Sequence, residues 1–316
     1  MVGKRALAIF IGLLLIGLTS CQKVKVDEHS VSIGILLNDK CMHDRQDLEL
    51  MQARADEIGF QVMTGQSEGD SYQQFLEAKR LIEQGVDILI INPINTKTSP
   101  ALGHLCEKNQ VKLIGYKKML EFTQLDLCLT YDYQKVGQMQ VTEILKDKVG
   151  GSIAILAGPS NDYSSFRIRE GNLEAIQALS TKRKINLIYD EWADELSAEE
   201  GFRMAENLFK IYQHTDIIIT HHPNLAEGIS KYLYNHGLTA EVSLVGALAD
   251  NHSLERIKID RQELSIHLPR KEMAYTAIDL ADRLGKELPL DNTISYTNNG
   301  KIEVPTVIFN VMTVRK

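Results

Sequence analysis

Residues 81–93 read LIEQGVDILIINP, and this stretch decides the fold. Its beginning completes a helical pattern over Ser71–Gln84, where apolar residues recur at the spacing of one helix face. Val86–Ile91 is then a nearly unbroken apolar run that ends at Asn92-Pro93. A short strand that is apolar on both faces is typical of a parallel sheet covered by helices on both sides.

The same alternation of short apolar strands and amphipathic helices extends in both directions along the chain. It breaks after a strand at 125–131 and restarts at Gly150-Gly151. We therefore predict an α/β fold of two doubly wound parallel-sheet lobes joined by a multi-strand hinge. The predicted parts are a first lobe of residues 31–131 plus 270–287, and a second lobe with hinge crossings of residues 132–269 plus 288–316. The crossings are expected near 131–134, near 268–270 and within 288–305.

The first twenty residues have the features of an export signal. Lys4 and Arg5 precede the apolar stretch Ala6–Leu18, which is too short to span a bilayer comfortably. The sequence Leu-Thr-Ser-Cys that ends at Cys21 resembles the bacterial lipobox, and this resemblance implies lipidation of the Cys21 sulfur. Residues 1–20 are thus predicted to be a lipoprotein signal and residues 21–30 a tether. We expect an extracytoplasmic protein, anchored by lipid to the bacterial cell membrane.

Composition and motifs argue against several classes of function. The formal net charge is -7, and the only basic run is 182–184, so a nucleic-acid partner is not expected. There is no Gly-x-Ser-x-Gly elbow, no P-loop and no Gly-x-Gly-x-x-Gly, so the chain is predicted not to be an enzyme. No cofactor is expected. Cys41, Cys106 and Cys128 favour buried thiols, although a disulfide between two of them stays open.

Polar residues follow the predicted strands, where the carboxyl ends of parallel strands form a ligand-binding edge. The predicted ligand-binding residues are Asn38, Asp39, Arg45, Lys117, Lys118, Asp132, Tyr133, Asp162, Tyr163, Trp192, His221, His222 and Asp250. Trp192 either stacks on a sugar ring or packs beneath a loop. The pair His221-His222 lacks further ligands at metal spacing, and adjacent strand residues point in different directions, so no metal site is predicted.

Five segments give the chain a resemblance to sugar-binding members of the type I periplasmic-binding-protein family, and most of all to bacterial D-xylose-binding proteins. These segments are residues 81–93, 132–140, 169–172, 190–194 and 216–238. The resemblance implies two lobes that close on a sugar. It covers nearly the whole chain after the signal.

The chain departs from the family at several sugar contacts. Lys117-Lys118 stands where the family has Asp-Arg, Tyr133 replaces an asparagine, and His222-Pro223 replaces Asn-Asp. Lysine lacks the planar fork with which arginine holds two hydroxyls. Because these changes and His221 add potential positive charge to the strand edge, we expect a sugar-like ligand that is more acidic than a neutral pentose, such as a sugar acid or a phosphorylated compound.

Two functions follow from this interpretation. The first is a receptor whose lobes close on a small-molecule ligand and which delivers this ligand to the permease of an ABC importer. The alternative is a sensor that regulates a membrane histidine kinase or chemoreceptor. A transcription repressor of the same fold is excluded, because the signal occupies the place of its helix-turn-helix.

Overall fold

The computed structural model describes residues 31–95, 98–146, 148–290 and 294–316. These residues form two lobes, each with helices around one mostly parallel sheet, which confirms the predicted fold class. The predicted signal, Cys21 and the tether lie outside the described residues. In the described part of the chain, no helix combines the length and apolar character needed to cross a membrane.

Helices and strands alternate through most of the chain. The helices are α1 (Met42–Glu57), α2 (Ser71–Glu83), α3 (Ser99–Lys108), α4 (Tyr133–Ile144), α5 (Tyr163–Ser180), α6 (Ala198–Ile211), α7 (Pro223–Asn235), α8 (Asn251–Lys258) and α9 (Arg270–Gly285). The strands are β1 (Ile33–Leu36), β2 (Val62–Thr64), β3 (Ile88–Ile91), β4 (Lys112–Lys117), β5 (Leu127–Tyr131), β6 (Gly150–Ala157), β7 (Lys184–Trp192), β8 (Ile217–Thr220), β9 (Ser243–Gly246), β10 (Leu264–His267), β11 (Ser295–Asn298), β12 (Glu303–Phe309) and β13 (Met312–Arg315).

The two sheets share the order of five parallel strands and differ in the strands added at one edge. The first has the order β11–β12–β5–β4–β3–β1–β2, and the second has the order β13–β10–β9–β8–β6–β7. All strand pairs are parallel except β11 with β12 and β13 with β10. In each lobe the strand order reverses between the first and third strands, which are parallel neighbours. In open sheets of this kind, ligands bind outside the carboxyl ends at the point where the order reverses.

Burial explains why the decisive stretch folds as it does. All four residues of β3 are fully buried, because strands flank it and helices cover both faces of the sheet. α2 presents Ala78 and Leu81 to this core, and it begins where Asp70 accepts a hydrogen bond from the Gln73 amide. An oxygen that caps a helix in this way satisfies one amide that has no partner within the helix.

The chain passes between the lobes three times. β5 of the first sheet ends at Tyr131, and α4 then packs against α5 and β10 of the second lobe. β10 ends at His267, and α9 packs back against α1 of the first lobe. The third passage lies at residues 310–311, between β12 of the first sheet and β13 of the second.

The position of this third passage corrects the prediction. Residues 295–309 belong to the first sheet and not to the second lobe, and the passage lies beyond the expected range of 288–305. The reason is that β12 pairs in parallel with β5, from Thr306 beside Cys128 to Phe309 beside Tyr131. The chain changes sheets at residues 310–311, between β12 and β13.

The three cysteines of the described chain are free thiols. Cys106 and Cys128 are buried in one apolar cluster of the first lobe, and Cys41 is partly exposed. Burial raises the pKa of the Cys106 thiol to about 12 and that of the Cys128 thiol to about 12. Both thiols therefore remain protonated and pack as small apolar groups, as the sequence favoured.

Replacing Gly137 by alanine should lower the free energy of unfolding by about 1–3 kcal/mol, the usual cost of overpacking. A Cβ at Gly137 would lie 1.9 Å from the Ile168 carbonyl oxygen, so α4 and α5 would have to separate. Urea denaturation of the full chain in detergent measures the change. Thr142→Ala, at an exposed position of the same helix, is the matched control. Equal stabilities of the two variants would contradict the close packing of these helices.

Candidate functional site

A cleft of about 430 Å³ opens where the carboxyl ends of the two sheets face each other. Residues from both lobes line it. Its polar and charged lining residues are Asn38, Lys40, His43, Asp44, Asn92, Lys117, Lys118, Tyr131, Tyr133, Asp162, Ser164, His222, Asn224 and Arg270, and its apolar ones include Met42, Leu196, Leu248 and Leu268.

Two larger cavities, of about 830 Å³ and about 840 Å³, lie elsewhere. One is beside the passage at Pro269, and the other surrounds Lys316 at the far end of the second lobe. We assign the candidate site to the smaller cleft for two reasons. Among these three cavities of the described residues, the smaller cleft is the one where strand ends of both lobes converge, and its lining residues Asn92 and Tyr131 carry unpartnered buried polar atoms.

The structure divides the predicted ligand-binding residues into two groups. Those that line the cleft are Asn38, Lys117, Lys118, Tyr133, Asp162 and His222. Those that do not line it are Asp39, Arg45, Asp132, Tyr163, Trp192, His221 and Asp250.

Asp39 and Arg45 are occupied by loop contacts. The Asp39 carboxylate accepts hydrogen bonds from the Ser67 hydroxyl and from the amides of Ser67 and Glu68. Arg45 donates to the Asp39 carbonyl oxygen at 2.7 Å. These bonds join the loop after β1 to the loop after β2, so both side chains shape the rim of the first lobe.

Asp132 and Asp250 cap helices. Asp132 is exposed and accepts from the Lys135 amide at the start of α4, while Asp250 accepts from the Ser253 amide and hydroxyl at the start of α8. A carboxylate between a strand and a helix serves capping as readily as ligand binding, and sequence position does not distinguish the two roles.

Two aromatic residues pack against neighbouring rings instead of lining the cleft. Trp192 stacks on Phe166, with ring planes 5° apart and centroids 6.4 Å apart, and the Arg169 guanidinium lies 4.9 Å from the Trp192 ring. Tyr163 and Tyr133 pack edge to face, with their ring centroids 6.0 Å apart. Of the two alternatives for Trp192, stacking on a sugar ring or packing within the protein, the structure has the second.

His221 points into the second lobe, away from its neighbour His222. It is buried, and its Nε2 lies 2.8 Å from the Asn172 Oδ1. Burial lowers the pKa of His221 to about 3, so this side chain adds no positive charge near neutral pH. The expected convergence of both histidines on the ligand is thus corrected, because adjacent residues at a strand end face opposite sides.

Buried ion pairs neutralise the base of the cleft. Lys117 Nζ lies 2.7 Å from Asp44 Oδ1 and 2.5 Å from Asp47 Oδ2. Arg270 Nε donates to Asp47 at 2.8 Å, which ties the start of α9 to α1. Burial opposes the charge of Lys117, but Asp44 and Asp47 outweigh it and raise the pKa of Lys117. Two cations here face two carboxylates and are not free to bind an anion.

Lys118 and Asp162 stand on opposite sides of the cleft. Lys118 Nζ donates to the Pro93 carbonyl oxygen at 3.3 Å. Asp162 caps α5 through the Ser165 amide at 2.8 Å. Burial would raise the pKa of Asp162, but Lys118 and the hydrogen bonds from Ser164 and Ser165 lower it below its ordinary value. The charges of Lys118 and Asp162 offset each other, so the inner cleft is close to neutral.

Two deeply buried polar atoms at the cleft lack a protein partner. The Asn92 amide nitrogen donates to Asp44 at 2.7 Å, but its Oδ1 accepts nothing from the described residues. The Tyr131 hydroxyl is likewise unpartnered within the described chain. Buried polar atoms are rarely left unpaired, and both atoms belong to residues that line the cleft, so they are candidates for hydrogen bonds to a ligand.

Several cleft residues were outside the predicted set. His43, Asp44 and Arg270 lie in the first turns of helices, whereas most of the predicted residues follow the ends of strands. Asp44 and Asp47 are three residues apart, a spacing that puts both carboxylates on one helix face. That spacing is the signal that would have found the ion-pair cluster. The leucines of the lining carry no comparable signal.

No group of three or more histidine, cysteine or acidic side chains in the described ranges could hold a metal ion. The two histidines that line the cleft, His43 and His222, come from different lobes, and their ring centroids are 5.9 Å apart. They therefore belong to the contact between the lobes.

Residues 42–287 match the family model described as "periplasmic binding protein domain", and the chain belongs to this family. A curated relative, the D-xylose-binding periplasmic protein of Haemophilus influenzae, is 24% identical over 306 residues, covering 96% of this chain and 92% of the relative. The D-xylose-binding periplasmic protein of Escherichia coli is 25% identical over 304 residues, covering 94% of this chain and 91% of the relative.

A solved structure with the same fold is a carbohydrate transporter solute binding protein from Chloroflexus aurantiacus in complex with D-glucose. It superimposes with a TM-score of 0.80 at 20% identity, covering 90% of this chain and 92% of that one. This likeness establishes the shared fold of two mostly parallel α/β lobes.

Proposed function

We propose that this chain is a lipid-anchored, extracytoplasmic binding protein for a neutral, polyhydroxylated small molecule, a sugar or a cyclic polyol, which it presents to an ABC importer. The observation that carries the proposal is the lining of the cleft. Hydrogen-bond donors and acceptors line it, and the charges of its inner part nearly cancel. Relatives named as D-xylose-binding proteins support the ligand class. The signal and Cys21 in the sequence support the anchor.

Electrostatics favour a neutral ligand over an acidic one. Of the four residues that suggested an anion, Lys117 is paired with two carboxylates and Lys118 faces Asp162. His221 is buried, and burial lowers the pKa of His222 to about 4. An anion in the inner cleft would meet Asp44 and Asp162, while Lys40, a lining cation without a carboxylate partner in the described residues, is exposed to solvent. Burying an anion beside these carboxylates is costly in desolvation. The expectation of an acidic ligand therefore loses its basis.

Hydroxyl groups fit this lining because each can donate one hydrogen bond and accept others. The unpartnered Asn92 Oδ1 requires a donor, and the Asp162 carboxylate has room for another. Lys118 and the Tyr131 hydroxyl can donate to a ligand oxygen. A volume of about 430 Å³ is within the range of small-molecule sites.

Calorimetric titration of the full chain in detergent tests the ligand class. The panel consists of D-xylose, D-ribose, D-glucose and myo-inositol, with D-glucuronate and D-xylose 5-phosphate as acidic counterparts. We expect the tightest binding from a neutral member. Preferential binding of an acidic member, or binding of no neutral one, would contradict the proposal.

Tyr131→Phe should weaken binding of that neutral ligand by about 5-fold to 15-fold, the worth of a net hydrogen bond of about 1–1.5 kcal/mol. The hydroxyl has no partner in the described protein, so its removal should not lower the free energy of unfolding. Titration gives the affinity, and urea denaturation gives the stability. Tyr296→Phe, at an exposed position of β11, is the control. Unchanged affinity would remove Tyr131 from the set of ligand contacts.

Regulation of a membrane kinase or chemoreceptor stays the alternative prediction. It requires the same ligand-dependent closure and differs only in the protein that recognises the closed lobes. Neighbouring genes distinguish the two roles: a permease and an ATPase accompany an importer, and a kinase accompanies a sensor.

A further inference from the structure

Two histidines meet across the cleft, one from each lobe. His43 lies in the first turn of α1, and His222 caps α7 through its Nδ1, which accepts from the Asn224 amide at 3.2 Å. Their ring centroids are 5.9 Å apart and their planes are inclined by 46°. This geometry suits neutral rings, because two imidazolium cations at this distance repel each other.

Charged side chains from α1, β4, α9 and the residue that caps α8 surround the pair. For His43, burial is the largest influence and lowers its pKa; Arg270 and Lys117 lower it further, and Asp250 and Asp47 act in the opposite direction with smaller effect.

For His222, burial again comes first and His43 second, while Asp162 and Asp250 oppose them. The pKa of His222 is lowered to about 4 from its ordinary value of 6.5. Both rings are therefore neutral at neutral pH with the lobes together, and for His222 part of the resistance to protonation comes from His43 of the other lobe.

We propose that His43 and His222 form a proton-sensitive contact that permits the lobes to close at neutral pH and separates them on acidification. The proposal rests on the proposed function only in that the same cleft would hold the ligand. It assigns these side chains a role in controlling closure, beyond their place in the cleft lining.

The direction follows from linkage. Separating the lobes returns the rings to water, where a histidine titrates near its ordinary value of 6.5. The closed arrangement is thus fully favoured above about pH 6.5 and loses stability as the pH falls below it, by up to about tenfold per pH unit for each histidine. Between pH 7.5 and pH 5.5 we expect the ratio of closed to open molecules to fall about tenfold through His222. His43 adds a smaller decrease, because Arg270 and Lys117 of its own lobe stay beside it when the lobes separate.

Pulsed electron resonance between spin labels on the two lobes tests this without any ligand. Suitable label sites are Tyr72→Cys on α2 and Ile211→Cys on α6, because these side chains are 64% and 63% exposed. The full chain is studied in detergent, with Cys21 and Cys41 changed to serine. Cys106 and Cys128 are buried and need no change.

On going from pH 7.5 to pH 5.5, the distance distribution should gain a longer component. This response should shrink about tenfold in His222→Asn, where asparagine keeps a good helix cap, and disappear in the double variant with His43→Asn. His252→Asn, which removes an exposed histidine of α8, should leave the response unchanged.

A wild-type distribution that does not change with pH would overturn the proposal, as would a full response in the double variant. Circular dichroism at both pH values identifies a variant that is unfolded, and the wild-type result stands by itself in that case. Failure of the sugar titrations would leave this distance measurement unaffected, so the two proposals are tested separately.

Discussion

Replacing Asp47 by asparagine should lower the free energy of unfolding by about 3–5 kcal/mol, the usual cost of breaking a buried ion pair. Asp47 is fully buried, and it faces both Lys117 and Arg270. Asparagine keeps the size of the side chain but leaves Lys117 with Asp44 as its remaining carboxylate partner and Arg270 with none among the described residues. Urea denaturation of the full chain, with the wild type alongside, measures the loss.

Asp279→Asn is the matched control for this change. Asp279 also pairs with an arginine, Arg54, at 2.8 Å, but both side chains are partly open to solvent. Solvent screens such a pair and reduces its contribution to stability. If the two variants lost equal stability, the cluster at the base of the cleft would have no special energetic role.

Asp162→Ala should weaken binding of the neutral ligand by on the order of 100-fold, since a hydrogen bond to a charged group contributes about 1.5–3 kcal/mol. The substitution also removes the only carboxylate of the second lobe that lines the cleft in the described residues. Calorimetric titration with the best neutral member of the panel measures the affinity.

Asp250→Ala separates the ligand contact from the helix cap. Both aspartates accept from the amide of a serine three residues later, at 2.8 Å in each case, so both variants lose a cap worth about 1 kcal/mol of stability. Only Asp162 lines the cleft. Equal losses of affinity in the two variants would show that the cap, and not a ligand contact, accounts for the effect.

Local patterns were sufficient to predict most of the fold. The buried strand Ile88–Ile91 and the helix before it could be read from residues 81–93, because apolar runs and helical spacing depend on near neighbours. The third passage between the lobes could not be read in this way. It depends on the pairing of β12 with β5, whose partners Thr306 and Cys128 are far apart in the sequence.

The candidate site was predictable only in its general position. Residues after strands were correctly expected at one edge, and Lys118, Asp162 and His222 do line the cleft. The sequence could not show which charged side chains of the cleft are neutralised by ion pairs, because Lys117 contacts Asp44 and Arg270 contacts Asp47 only after folding. Nor could the sequence distinguish Asp162, which caps a helix and faces the cleft, from Asp132, which only caps one.

The three passages between the lobes also determine when each lobe can finish folding. The first sheet begins with β1 near the start of the described chain, but β5 gains its neighbour β12 only after residue 309 has been synthesised. The second sheet is completed later still, because its edge strand β13 ends at Arg315. A growing chain therefore carries unpaired sheet edges until its last residues appear, and such edges can pair with other chains. Truncation of only the final fifteen residues should consequently leave both sheets incomplete, although neither the cleft nor its charged residues would be touched.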